Sequence, residues 1–177
     1  MIRLQRITTA DTALYGYMEK LITSAFPPEE YRNLEELRQY TDNKPAFHNN
    51  LLFHNDNPVG ILTYWDFNRF CYVEHFAIDP SLRNGGYGKQ ALNHLCQQLG
   101  RPIVLEVEIP EEEMAKRRIG FYQRQGFTLW EKPYLQPPYK IGDGYLPMFL
   151  MAYGNLECGK DFETVKEHLY REVYNAI

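Results

Sequence analysis

The pattern of hydrophobic and polar positions along the chain predicts seven short strands. Residues 2–7 form the first, and a hairpin follows across the turn signal at residues 55–58. A second turn at Asn68 and Arg69 precedes a long apolar strand. The six later strands are predicted at 51–54, 59–66, 70–78, 103–109, 127–130 and 147–153.

Helical spacing of apolar residues predicts five helices between and after these strands. Thr9 or Asp11 caps the first, which runs to about Ser24, and Gly100 ends the third as a C-terminal cap. Asp161 is predicted to cap the last, on which Phe162 begins an apolar stripe. The later helices are predicted at 29–40, 88–99, 114–125 and 161–177.

The order of these elements is β-α-α-β-β-β-α-β-α-β-β, with one helix appended. Antiparallel hairpins precede a β-α-β unit, which predicts an α/β (α+β) fold rather than a purely doubly wound one. The expected architecture is a mixed, mostly antiparallel central sheet of about six to seven strands with helices on both faces. A chain of 177 residues is typical of one domain, so we predict a single domain over 1–177, with its core at about 1–153.

Charge and cysteine usage narrow the function classes. The net charge is −4 and no basic stripe stands out, which disfavours nucleic acid as a partner. Cys71, Cys96 and Cys158 show no paired spacing, which indicates neither a metal site nor a disulfide framework. Neither a signal-peptide pattern nor an apolar run of roughly 20 residues is present. The expectation is a cytoplasmic protein that uses no metal and binds no membrane.

The segment IDPSLRNGGYGKQAL, residues 78–92, carries the chemistry. A strand ends, a glycine-rich turn follows and a helix begins, so free amide groups of the first helical turn point at one spot and favour an anion there. Arg83 and Lys89 add positive charge. The spacing fits neither a P-loop nor a dinucleotide fingerprint. A diphosphate-binding loop is the functional interpretation, and a plain tight turn is the structural alternative.

The segment reads Arg-x-x-Gly-x-Gly at Arg83, Gly86 and Gly88, and this resembles the acetyl-CoA signature of the GNAT superfamily of N-acetyltransferases. The strand EHFAIDP before it, the strand IVLEVEI after it and the helix with the segment AKRRIGFYQRQGF look like the corresponding elements of that family. The matched block runs from about residue 59 to 130. The resemblance implies a single GNAT-like domain that uses acetyl-CoA as co-substrate.

The resemblance also implies which residues hold acetyl-CoA. The backbone of the strand end is expected to pair with the pantetheine arm, and the loop amides to cradle the pyrophosphate. The implied residues are Phe76, Ala77, Ile78, Arg83, Asn84, Gly85, Gly86, Tyr87, Gly88 and Lys89. One departure concerns position 115, where Ala115 replaces the Asn that touches pantetheine in many family members.

Tyr122 is similar in position to the tyrosine that protonates the departing CoA thiolate in this family, and a core tyrosine is the structural alternative. Glu74 is the first choice for the base that deprotonates the amine. Strict strand alternation places it on the face of Tyr72 and Phe76, with His75 on the opposite face. A hydrogen-bonded structural glutamate is its alternative role.

Glu106 and Glu108 share one face of the fifth strand and are rival candidates, for the base or for binding a cationic acceptor. The implied function is acetyl transfer from acetyl-CoA to a primary amine, on a small molecule or a peptide. A non-catalytic CoA-binding or sensing module is the alternative. The tyrosine-rich segment 131–146 either lines the acceptor site or mediates a homodimer, and the sequence leaves both open.

Overall fold

The computed structural model describes residues 1–177 and divides into two compact units, Met1–Gly100 and Arg101–Ile177. Together they contain seven strands and five α-helices, in the order that the sequence predicts. The single-domain organisation of the chain stays a prediction. None of the helices combines the length and the apolar character that crossing a membrane requires.

The first unit is built on four antiparallel strands that are neighbours in chain order. They are β1 (Ile2–Arg6), β2 (Phe47–His54), β3 (Asn57–Asp66) and β4 (Cys71–Ile78). β2 begins at Phe47 and not at Leu51, because three polar residues hide the apolar pattern. One of them, Asn49, is buried and donates from Nδ2 to Thr41 Oγ1 over 3.1 Å, so it belongs to the core.

Three helices complete this unit: α1 (Thr12–Ala25), α2 (Leu34–Asn43) and α3 (Tyr87–Leu99). The predicted second helix at 29–40 is wrong at its start, where Pro28–Glu30 forms a separate 3₁₀ turn. Asn33 caps α2, and its side chain accepts a hydrogen bond from the Glu35 amide over 2.9 Å. α3 ends at Gly100, which adopts the predicted left-handed cap at φ 59°.

A β-bulge in β4 changes the direction of its side chains. Thr63 pairs with His75 and the next residue, Tyr64, pairs with Val73, so Glu74 is the extra residue of β4. Because paired residues share a face, His75 lies on the face of Thr63, and Glu74 contacts Trp65 on that same face. The predicted opposition of Glu74 and His75 is therefore wrong, and Phe76 points away from both.

The second unit has three antiparallel strands with β7 in the middle. They are β5 (Ile103–Glu108), β6 (Thr128–Gln136) and β7 (Leu146–Tyr153), with the helices α4 (Glu113–Arg124) and α5 (Cys158–His168). β6 extends six residues beyond its predicted end at Trp130, because an irregularity before Tyr134 accommodates Pro133. α5 begins at Cys158, before the predicted cap Asp161, and a π-helical turn, Leu169–Val173, follows it.

Candidate active site

The loop between β4 and α3 has an unusual backbone. Asn84 and Gly86 both adopt positive φ, at 70° and 79°, and Gly86 is the N-cap of α3. At the loop's start, the Asp79 carboxylate accepts from the Ser81 amide over 3.0 Å and from the Tyr17 hydroxyl over 3.1 Å. These bonds fix the chain as it leaves the strand, so the loop enters the helix at a defined angle.

This loop has the properties of an anion site. No side chain caps α3, so the amides of its first turn, from Tyr87 to Lys89, have no acceptor within the helix. Arg83 and Lys89 are exposed, and neither makes an ion pair. A Cβ built on Gly86 meets only Gln90 Nε2, at 3.8 Å. An uncapped helix N-terminus favours an anion, and the binding of a diphosphate at this loop stays a prediction.

The end of β4 is held close to β3. Phe76, Ala77 and Ile78 pair with residues 62, 61 and 60 in that order. A Cβ at Gly60 would lie 2.4 Å from the Ala77 carbonyl oxygen, so only glycine permits this approach. The pairing of Phe76, Ala77 and Ile78 with a pantetheine arm stays a prediction.

Glu74 is enclosed by partners. Its side chain is 0% exposed and its Oε2 lies 2.8 Å from Nη2 of Arg32, which is itself 1% exposed. The Trp65 indole donates to Glu74 Oε1 over 2.7 Å. Burial alone would raise the pKa of Glu74, but the charge of Arg32 and these hydrogen bonds outweigh it and lower the pKa. The contacts favour the structural role over that of a base.

His75 is a core histidine. It is 3% exposed, and its ring packs edge-on against Phe26 at 4.9 Å between centroids. Nε2 lies 2.8 Å from the Glu30 carbonyl oxygen, which only accepts, so the proton sits on Nε2. Burial, more than any other factor, lowers the pKa of His75 and keeps the ring neutral.

Tyr122 lies on α4 and is 8% exposed. Its ring packs against Phe127 at 5.6 Å between centroids, and its hydroxyl makes no hydrogen bond within the chain. Burial raises the pKa of Tyr122 to about 12, although the nearby charge of Arg118 acts in the opposite direction. The hydroxyl therefore stays protonated at neutral pH.

Glu106 lies in a cluster of tyrosines, defined here as the tyrosine cluster of Tyr134, Tyr139, Tyr145, Tyr170 and Tyr174. The Glu106 carboxylate accepts from the Tyr134 hydroxyl over 2.5 Å, from the Tyr174 hydroxyl over 2.6 Å and from Gln136 Nε2 over 2.8 Å. Burial and the charge of Glu106 raise the pKa of Tyr134, so it remains a donor.

Glu108 has a different environment from Glu106. It is half-exposed, at 47%, and its Oε1 lies 3.4 Å from Nη1 of Arg118 on α4. Neither carboxylate forms a hydrogen bond with Tyr122. The fifth strand therefore carries one carboxylate inside an aromatic cluster and one at the surface.

Two important residues were not predicted from the sequence. Arg32 lies between two elements and has no local signal, yet its guanidinium is buried over the ring of Tyr40, at 4.7 Å from the centroid. Tyr174 is 68 residues from Glu106 along the chain, and only the tertiary fold brings them together. The one sequence signal for such partners is a carboxylate within an apolar strand, because a carboxylate that becomes buried there needs compensating contacts.

Comparison with known proteins identifies the family of the chain. The model of the acetyltransferase (GNAT) family matches residues 13–127. A solved structure from Bacteroides thetaiotaomicron, a candidate GNAT-family acetyltransferase, is 62% identical, covers 99% of both chains and superposes with a TM-score of 0.96. No protein with a curated description matches the sequence significantly.

More distant solved structures share the fold alone. A spermidine N-acetyltransferase chimera from Vibrio cholerae and hSSAT is 18% identical, covers 86% of this chain and 94% of its own, and has a TM-score of 0.61. The ribosomal-protein-S18-alanine N-acetyltransferase from Escherichia coli is 20% identical, covers 89% and 99%, and has a TM-score of 0.58.

The fold and the match to the family model define the protein as an acyltransferase. The chain belongs to the GNAT family of acetyltransferases, which transfer an acyl group from acetyl-CoA to amine acceptors. The predicted family, enzyme class and mixed, mostly antiparallel α/β fold are confirmed.

Proposed function

We propose that this chain transfers the acetyl group of acetyl-CoA to a primary amine of a cationic acceptor. The observation that carries the proposal is the uncapped, glycine-rich N-terminus of α3, where Asn84 and Gly86 adopt positive φ. In the reaction the amine nitrogen bonds to the acetyl carbon and the carbon–sulfur bond breaks. When the acceptor enters as the protonated amine, the products are an amide, the free CoA thiol and one released proton.

The loop residues Arg83 to Lys89 would hold the diphosphate of acetyl-CoA. Backbone amides and two cationic side chains supply the charge complement, while the glycines leave room for the phosphates. Their role is binding and orientation, which turns the attack of the amine into a step between two positioned partners.

Tyr122 is the proposed general acid. A departing thiolate needs a proton, and a phenol whose pKa is raised to about 12 holds its proton throughout the physiological range. Its hydroxyl has no partner within the chain that would compete for this proton. The support is the position of Tyr122 in the family motif together with this protonation state.

The contacts of Glu74 bear on which group acts as the base that deprotonates the amine. An ion-paired carboxylate with a lowered pKa is a weak proton acceptor, so Glu74 is better suited to holding Arg32 in place. Of the two carboxylates on β5, Glu108 is the more exposed to solvent. We therefore propose that the proton leaves through Glu108 or water.

Glu106 and the tyrosine cluster are the proposed acceptor-binding surface. Several tyrosine rings around one carboxylate attract an ammonium group through charge and through the ring faces. Tyr145 is 53% exposed, so the cluster is open to solvent on one side. This supports a cationic acceptor, such as a polyamine, an aminoglycoside or a lysine side chain.

The first experiment is calorimetric titration with acetyl-CoA, with NAD as the matched control. We expect micromolar binding of acetyl-CoA and none of NAD. A thiol-release assay with cationic amines then tests transfer, because only catalysis frees the CoA thiol in an acceptor-dependent way. No binding of acetyl-CoA would refute the proposal, and binding without thiol release for any amine would leave a CoA-binding module.

A further inference from the structure

The side chain of Tyr87 lies against the anion-binding loop. Tyr87 is the first residue of α3, and its ring folds back over Gly85. A Cβ built on Gly85 would lie 3.0 Å from Cε2 and 3.3 Å from Cδ2 of this ring. The ring therefore fills the space beside Gly85, and its position limits how the loop backbone can move.

His54 also contacts that ring. It is the last residue of β2, and its imidazole lies 5.0 Å from the Tyr87 ring between centroids, with the planes tilted by 49°. β2 is paired on both edges at this point, His54 with Ile2 of β1 and with Asn57 of β3. The imidazole is therefore mounted on a backbone that two strands hold in place.

These contacts run without a gap from the sheet to the loop, through His54, Tyr87 and Gly85. We propose that His54 is a positioning residue for acetyl-CoA binding, acting through the Tyr87 ring. The inference rests on the proposed function of the loop. These contacts restrict the loop before acetyl-CoA binds, so less conformational entropy is lost on binding. The effect therefore raises the affinity for acetyl-CoA and leaves kcat unchanged.

The test compares His54→Ala with His54→Phe, which keeps a ring and removes the polar nitrogens. Since an aromatic pair contributes modestly, we expect His54→Ala to raise the Kd and KM for acetyl-CoA by about 3- to 10-fold with kcat unchanged. His54→Phe should stay within about 2-fold of the wild type. His94→Ala is the matched control, because His94 lies in α3 and its ring contacts no other aromatic ring.

A double variant tests whether His54 affects acetyl-CoA binding through Tyr87. If His54 acts through Tyr87, then Tyr87→Ala and His54→Ala/Tyr87→Ala should bind acetyl-CoA equally weakly, because the second change removes nothing further. Additive losses would overturn the proposed route. Thermal unfolding of each variant shows that the fold is kept.

The outcomes separate this inference from the proposed function. Wild-type binding of acetyl-CoA with unchanged affinity in His54→Ala would refute the positioning role alone. An equal loss in His54→Phe and His54→Ala would also refute it, since the polar ring nitrogens would then be responsible. Absence of binding by the wild type would overturn the proposed function, and this inference with it.

Discussion

At the residue scale, Glu74 and Arg32 form an ion pair that the surrounding core encloses. Their side chains are 0% and 1% exposed, and the guanidinium lies over the ring of Tyr40. Both charges have lost their water, and each depends on the other for compensation. Removing one partner alone therefore takes a close opposite charge away from the other in the interior.

We predict that Glu74→Gln destabilises the protein by about 3–5 kcal/mol, because the buried Arg32 charge loses its partner. Denaturant unfolding measures this loss. Glu36→Gln is the matched control, since Glu36 is 45% exposed and lies 3.7 Å from Arg32 Nε, and it should cost under about 1 kcal/mol. A stable Glu74→Gln protein with a shifted pH–rate profile would restore Glu74 as the base.

The same pair predicts a pH dependence of stability. The pKa of Glu74 is lowered in the folded state, so its contribution is fully present above its ordinary value of 4.5. It is lost as pH falls from there through the folded pKa. Unfolding curves in acid should therefore show a steeper loss of stability for the wild type than for Glu74→Gln.

For Tyr122 we predict an effect on the rate of acetyl transfer and not on stability. Tyr122→Phe removes only a hydroxyl that has no partner in the chain, so folding and acetyl-CoA affinity should remain. A general acid contributes about 10²-fold or more, so kcat should fall by that order. Steady-state kinetics and calorimetry test the two halves. An equal loss of affinity would contradict the assigned role.

At the scale of elements, α3 begins and ends on left-handed glycines with different surroundings. Gly86 stands at the loop end with φ 79°, and Gly100 at the far end with φ 59°. Asn tolerates this conformation, and Asn84 already adopts it in the same loop. The helix therefore offers the same substitution at a proposed ligand site and away from it.

We predict that Gly86→Asn weakens acetyl-CoA binding at least about 10-fold, because the new side chain occupies the space above the loop amides. Gly100→Asn should bind normally. Both proteins should fold, since the nearest atom to a Cβ at Gly86 is 3.8 Å away and none lies within 4 Å at Gly100. Unchanged affinity in folded Gly86→Asn would refute the assignment of the loop.

The two carboxylates of β5, Glu106 and Glu108, allow the same substitution to be compared inside and outside the tyrosine cluster. Glu106→Gln keeps an acceptor for Tyr134 but removes the negative charge, so the KM for a cationic acceptor should rise at least about 10-fold. The KM for acetyl-CoA should not change. Glu108→Gln should leave the acceptor KM nearly unaltered. Equal effects of the two changes on that KM would argue against the tyrosine cluster as the acceptor site.

At the scale of the whole molecule, ligand binding to the folded state raises its stability. Acetyl-CoA at 100 times its Kd should stabilise the protein by about 2.7 kcal/mol. For a chain of this size, each kcal/mol corresponds to roughly 2–4 °C in Tm. Thermal unfolding with and without acetyl-CoA measures this shift, and NAD should give none.

Most of the elements follow from the sequence because their signals are local. The pattern of apolar residues predicted the bounds of β3 and β4 to within two residues, and Gly100 predicted the end of α3. The errors occur where tertiary packing overrides a local signal. β6 continues through Pro133 because β7 pairs with it on both sides of the irregularity. Periodicity alone predicts one helix over residues 29–40, but Pro28–Glu30 forms a 3₁₀ turn that is separate from α2.

The glycine-rich turn before α3 was predictable from the sequence, because its signals lie in adjacent residues and in the start of a helix, and its binding of an anion stays a prediction. The roles of the charged side chains were not predictable. A bulge placed Glu74 and His75 on one face, and the fold brought Arg32 to Glu74 across 42 residues and Tyr174 to Glu106 across 68. The sequence alone determined the family and the position of the glycine-rich turn. Only the tertiary structure decided which carboxylates are paired and buried, because pairing depends on contacts between distant segments.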